Sequence, residues 1–207
     1  MSWKKKDTYE VEEHPFETFV PSNARYLIIG TFPTHKDNFR FKFFYSGKDN
    51  SFWSIIEKVF NHSFKYNDGD KAVEERKTFL KSREIGITDM YEKCYRKNNF
   101  SIDENLFPII LKDIFSILDE NTSIKSIILT SRTEIFGALG LLKTYFLQKG
   151  LELEQPEKRH DKVLEGGFIY KEREIEVLVP YSPSARVFES NNITPDEVVQ
   201  MYRHCLT

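Results

Sequence analysis

Cysteine is scarce, with Cys94 and Cys205 the only two in 207 residues. Two isolated thiols cannot supply a four-cysteine zinc site or an iron–sulfur cluster. Long apolar runs are also missing. None approaches the ~20 residues of a membrane span. The start, Met1-Ser2-Trp3-Lys4-Lys5-Lys6, leads into no apolar stretch of the kind a secretory leader needs. A reduced, cytoplasmic chain without a membrane partner is expected. Neither sign of charge is in excess. The net charge of −2 gives no global pull toward a polyanion, so nucleic acid would need a local basic face. There is no Gly-x-x-x-x-Gly-Lys-Ser/Thr loop and no Gly-x-Gly-x-x-Gly after a strand, which argues against ATP and dinucleotide chemistry. Ser182-Pro183-Ser184 lacks the flanking glycines of a hydrolase elbow. His14, His35, His62, His160 and His204 show no paired spacing and read as surface or structural residues. No metal and no cofactor is expected.

What the chain does have is aromatic side chains, 18 Phe and 10 Tyr. They suit either a stacking surface or an aromatic core. The hydrophobic share of 40% is ordinary, and the length fits one domain over 1–207. Four apolar runs have strand length: Tyr26–Ile29, Ile85–Met90, Ile124–Leu129 and Ile175–Val179. Helical spacing lies between them. Phe52, Ile55, Ile56, Val59 and Phe60 mark one face, and Phe107, Ile110, Leu111, Ile114, Phe115 and Leu118 mark another. A third helix is expected over 133–148. A last one opens at Thr194-Pro195-Asp196-Glu197, with a capping Thr, Pro at the first turn and acids behind it. Residues 1–20 read as loop or peripheral helix. Segment 61–83 reads as helical from Lys71 to Lys81, and 150–174 as a hairpin or surface excursion. Strands alternating with helices predict a three-layer α/β/α domain around a parallel sheet.

In such a sheet the loops leaving the strands' carboxyl ends meet on one side, where ligands bind. The first loop is Gly30-Thr31-Phe32-Pro33. The second brings Asp89, the third Thr130-Ser131-Arg132, and the fourth Pro180 to Arg186. An aromatic-rich stretch, Phe39 to Trp53, follows the first loop at once. Small residues, hydroxyls, prolines and rings together describe a slot for a planar ring.

These residues resemble the uracil-DNA glycosylase superfamily, nearest its mismatch-specific and hypoxanthine-DNA glycosylase-like branch. Four pieces agree in order: Gly30-Thr31-Phe32-Pro33-Thr34; Phe44-Tyr45 with Asn50-Ser51-Phe52-Trp53; Gly86-Ile87-Thr88-Asp89-Met90, trailed by Cys94 and Arg96; and Pro180-Tyr181-Ser182-Pro183-Ser184. They cover most of residues 25–190. The resemblance implies a four-stranded parallel sheet in order 2-1-3-4. It also implies an enzyme that flips a deaminated base, uracil or hypoxanthine or xanthine, out of DNA and cleaves its N-glycosidic bond with water.

On that reading Phe44 or Tyr45 stacks on the base, while Gly30, Thr31, Phe32 and Pro33 contact its edge together with Asp89. Ser182 and Ser184 supply donors to the leaving base. Better-known branches carry a polar residue in the first motif to hold the water. Phe32 stands there in this chain, and Asn50 maps to the residue that the hypoxanthine-type branch uses instead. Asn50 equally suits a helix cap; Asp49 and Asp89 are reserves. Arg186 or Val187 would wedge into the gap left by the base. Lys48 and Arg132, with Lys36, Arg40 and Lys42, would meet phosphates. Trp53 is expected to pack between helix and sheet. The expected species is a monomer acting on DNA with a damaged or mispaired base, without metal or cofactor. The alternative is a non-catalytic binder of modified bases on the same scaffold, and a weaker one is a hydrolase of free nucleosides.

Overall fold

The structure is a computed structural model that describes residues 7–48, 50–158 and 162–207. Its main sheet has six strands, not four. The expected strands form its parallel part: β2 (Tyr26–Gly30) pairs with β3 (Ile85–Asp89) on one side and β6 (Ser126–Leu129) on the other, and β6 pairs with β9 (Arg173–Val179). The sheet continues past β9 through antiparallel β8 (Leu164–Tyr170) and β7 (Glu157–Lys158). Segment 150–174 is therefore largely a hairpin arm of the sheet.

Alternation along the strands builds two cores. Leu27, Ile29, Ile127, Leu129, Val177 and Val179 face one side. Ile28, Ile128 and Leu178 face the other. Successive side chains of a strand point to opposite faces, so a strand buried on both must be apolar throughout. The first face packs against α3 (Ile114–Glu120) and α4 (Ala138–Gln148). The second packs against α1 (Phe52–Phe60), α2 (Gly69–Ser82), α5 (Ala185–Asn191) and α6 (Pro195–Leu206). The layers are thus α/β/α. In α6, Thr194 Oγ1 accepts from Glu197 N at 3.2 Å while Thr194 N donates back to Glu197 Oε2 at 2.8 Å, the reciprocal cap its sequence signals.

Besides the strand number, two further expectations fail. Residues 107–118 are not one helix. Leu106–Leu111 form strand β5, and the helix begins only at Ile114. Pro108 denies a helix an amide donor, but sits without conflict at a sheet edge. β5 is such an edge, in a separate three-stranded sheet of order β1-β4-β5. Its centre is β4 (Tyr91–Lys97). Its other edge is β1 (Tyr9–Glu13), so residues 1–20 hold a strand where loop or helix was expected. The small sheet carries Arg96, fully buried, beneath the first loop. Arg96 donates to Glu12 Oε1 at 3.0 Å, Phe100 O at 2.8 Å and Pro33 O at 2.7 Å.

Candidate active site

All four strand-end loops border a single cleft of about 740 Å³. Backbone bonds hold them together. Met90 N donates to Gly30 O at 2.9 Å, Thr130 N to Ile29 O at 3.1 Å, and Ser51 N to Pro183 O at 3.3 Å. The Gly-Pro bend and the Ser-Pro bend border the same cleft, and the Asn50-Ser51 segment pairs with the latter at Ser184.

Gly30 is required at the floor. A Cβ there would fall inside contact distance of Asp89 Oδ1 and lie 2.7 Å from Tyr45 Oη. Glycine is what lets a carboxylate and a phenol close over the backbone. Asp89 is buried, and its Oδ2 meets His14 Nε2 at 2.9 Å. His14 Nδ1 lies 2.6 Å from Phe16 O, which fixes the ring. Asp89 Oδ1 makes no hydrogen bond among the described residues. His14 is structural, as its sequence context suggested, but it orients a residue of the cleft.

The aromatic pair divides. Tyr45 lines the cleft, stacked on Phe52 with ring centroids 4.0 Å apart and 20° between planes. Its hydroxyl pairs with Thr130 Oγ1 at 2.8 Å. Tyr45 also holds φ at 54°, a conformation uncommon for an aromatic residue and tolerated where surrounding structure fixes it. Burial, with Asp89 and Asp103 nearby, keeps its phenol protonated well above the usual range. Phe44 is not part of the cleft. It is 1% exposed and packs edge-on against Phe43 and Phe16. Adjacent residues in this turn point to opposite sides, so only one could face the ligand. Trp53 is buried, its indole donating to Phe44 O at 3.0 Å.

Thr31, Phe32, Pro33, Asn50, Ser182 and Ser184 all border the cleft. The side-chain hydroxyls of Ser182 and Ser184 have no hydrogen-bond partner among the described residues, so their donors are free. Asn50 Oδ1 accepts from Phe52 N at 2.8 Å, so its side chain ties down the start of α1 from the residue before the N-cap, Ser51. Asp49 lies outside the described residues, as does His160. At the rim, Lys48 and Arg186 are exposed and form no ion pair among the described residues, and Val187 is half-buried beside them. Arg132 is more constrained. Its guanidinium lies 3.7 Å over the Tyr181 ring, and it donates to Val179 O at 3.1 Å and to Lys162 O.

One residue of the cleft escaped sequence reasoning. Asp103 opens a short 3-10 turn, Asp103–Asn105, in the connection between β4 and β5. Its Oδ2 accepts from Thr31 Oγ1 at 3.1 Å and Ser131 Oγ at 3.3 Å. Burial pushes its carboxyl up to about 6; the two hydroxyls oppose the rise, and Glu104 and Asp89 add to it. A carboxylate so tuned is poised to exchange a proton near neutrality. Nothing in Ser101-Ile102-Asp103-Glu104 marks it, since it follows no strand of the main sheet. The one available signal was that the resemblance expects a polar side chain where Phe32 stands.

No protein-family model matches this chain, and no curated protein matches it.

Proposed function

We propose that the cleft excises a deaminated base from DNA, on a domain of the uracil-DNA glycosylase type. The observation that carries this reading is Asp103: a carboxyl raised to about 6, bonded to Thr31 and Ser131, in a cleft walled by Tyr45. Water attack at the sugar C1′ needs a base that is ionised at working pH yet still accepts a proton. Asp103 takes the proton as the water oxygen bonds to carbon. The electron pair of the breaking bond goes to the leaving base. Ser182, Ser184 and the Thr31–Thr34 loop border the cleft, and the free hydroxyls of the two serines suit that developing charge. Tyr45 offers the stacking face, with Phe52 behind it. Asp103 takes the water-activating role that the resemblance assigned to Asn50, whose side-chain oxygen is engaged at the start of α1.

The parallel order β3-β2-β6-β9 agrees with the 2-1-3-4 sheet of that superfamily, and the antiparallel arm and small sheet are additions. DNA is the proposed partner, met by Lys48 and Arg186 at the rim with Val187 as wedge. Among the described residues no helix is long and apolar enough to cross a membrane. The test uses single- and double-stranded oligonucleotides carrying uracil, hypoxanthine or xanthine, heated in alkali after incubation with excess protein. Strand scission at the lesion is expected from wild type and not from Asp103→Asn. Tight retention of the lesion strand with every glycosidic bond intact would instead establish a binder.

A further inference from the structure

Away from the cleft floor, β1 and the end of the first loop bring three ligand-type side chains together. Glu10 and Glu12 are two residues apart on β1, so both leave the same face of the strand. That face lies over the inner side of β4, where Glu10 stands opposite Arg96 and Glu12 opposite Cys94. His35 directly follows the Thr31–Thr34 loop and is buried, 8% exposed. One donor atom from each of Glu10, Glu12 and His35 lies within 4.8 Å of the other two.

Three features set this cluster apart from a solvated acidic surface. First, the His35 ring is buried and, Asp37 apart, has no side-chain polar partner among the described residues. Second, Asp37 Oδ2 lies 3.3 Å from His35 Nδ1. A carboxylate behind one ring nitrogen fixes the tautomer and leaves the other nitrogen free, the arrangement that supports a metal-ligating imidazole. Third, the charges do not cancel. Arg96 donates from Nε to Glu12 and from each of its other two nitrogens to a carbonyl, and Glu10 has no ion-pair partner among the described residues. Three carboxylates against one guanidinium leave two negative charges uncompensated.

The geometry points to a divalent-cation site formed by Glu10, Glu12 and His35, with Asp37 as the positioning residue behind the imidazole. Two carboxylates and one imidazole suit a first-row transition ion such as Zn²⁺ or Mn²⁺, whereas Mg²⁺ and Ca²⁺ favour oxygen ligands alone. The ion would bind β1 to the end of the first cleft loop. It is a structural role, independent of how the cleft is read.

Metal-stripped full-length protein titrated with Zn²⁺ by calorimetry tests this. One ion per chain is expected, with Mg²⁺ binding far more weakly. Glu10→Gln and Asp37→Asn should each weaken Zn²⁺ binding roughly tenfold or more. Both side chains are exposed, so far-UV circular dichroism should not change. Visible absorption of a Co²⁺ adduct should disappear in His35→Ala. Absence of Zn²⁺ binding, or an affinity unchanged in both Glu10→Gln and Asp37→Asn, overturns the proposal. Asp103→Asn should keep Zn²⁺ binding intact, so failure of the cleft reading and failure of this site are told apart.

Discussion

Replacing Asp103 by Asn should make the protein more stable and inactive at once. Folding lifts the carboxyl from 3.8 to about 6. Below the lower value the group is protonated in both states and adds no pH dependence. Between the two, the unfolded chain releases its proton while the folded chain retains it, so stability falls as pH rises. Above about 6 the loss is complete. At 1.36 kcal/mol per pKa unit it amounts to ~3 kcal/mol, and partial exposure of the side chain to the cleft lowers that to about 2 kcal/mol. Asn cannot ionise and carries no such loss. Against a typical net stability of roughly 5–15 kcal/mol the difference is large.

Urea unfolding at pH 4 and pH 8 measures it. The Asp103→Asn protein should gain about 2 kcal/mol over wild type on going from the lower to the higher pH, through the midpoint and at unchanged slope. In parallel, kcat/KM of wild type on a lesion-bearing oligonucleotide should rise through a pKa near 6 and then level. The variant should lose roughly 10²–10⁴-fold. A variant less stable than wild type at pH 8 refutes the reasoning. It would mean that the bonds from Thr31 and Ser131 outweigh burial and that the ionised carboxylate is a structural anchor. Stability gained with activity lost is the pattern of a strained catalytic group.

Three further outcomes follow from the geometry. Gly30→Ala places a methyl against Asp89 and Tyr45, so it should lower stability by about 1–3 kcal/mol in thermal unfolding and reduce excision. Asn50→Ala removes the bond to Phe52 N and should destabilise by about 1 kcal/mol, the worth of one ordinary hydrogen bond, with a much smaller loss of rate than Asp103→Asn; an equal loss would return the water-holding role to Asn50. Lys48→Ala and Arg186→Ala should each lower the slope of log affinity against log salt by about 1 in fluorescence-anisotropy titrations, with stability within about 0.5 kcal/mol of wild type.

The main sheet was legible because its signal is local. Tyr26–Ile29 has no polar alternation and is too short for a helix, so burial on both faces was the one consistent solution; Ile175–Val179 departs from that pattern only at Glu176, which is exposed. Parallel strands then bring the loops at their carboxyl ends to one side. The small sheet was not legible in the same way. Val11, Tyr95 and Ile110 are largely exposed on it, so its strands lack the clean contrast that marks a core. In β5 the spacing of Phe107, Ile110 and Leu111 mimics a helical face. Only Pro108 spoke against a helix, and its effect is visible once an edge strand is available to hold it.

The missing carboxylate has the same origin. A strand-end search finds residues that the main sheet delivers, and Asp103 is delivered by the small sheet. β4 and β5 return the chain to the mouth of the first loop, with Arg96 bonded to Pro33 O below and Ser101 beside Thr34 above. A carboxylate standing on such a turn is insulated by protein on the Thr31 and Ser131 side and open on the cleft side. That asymmetry is what raises its proton affinity while leaving it reachable by water. Phe32 is compatible with this arrangement because its ring lies against Arg96 and edge-on to Tyr91 and His14. It packs the loop onto the small sheet that carries Asp103. An apolar residue in the first loop and an acid on the small sheet are then two parts of one solution: the loop packs onto the platform that supplies the carboxyl.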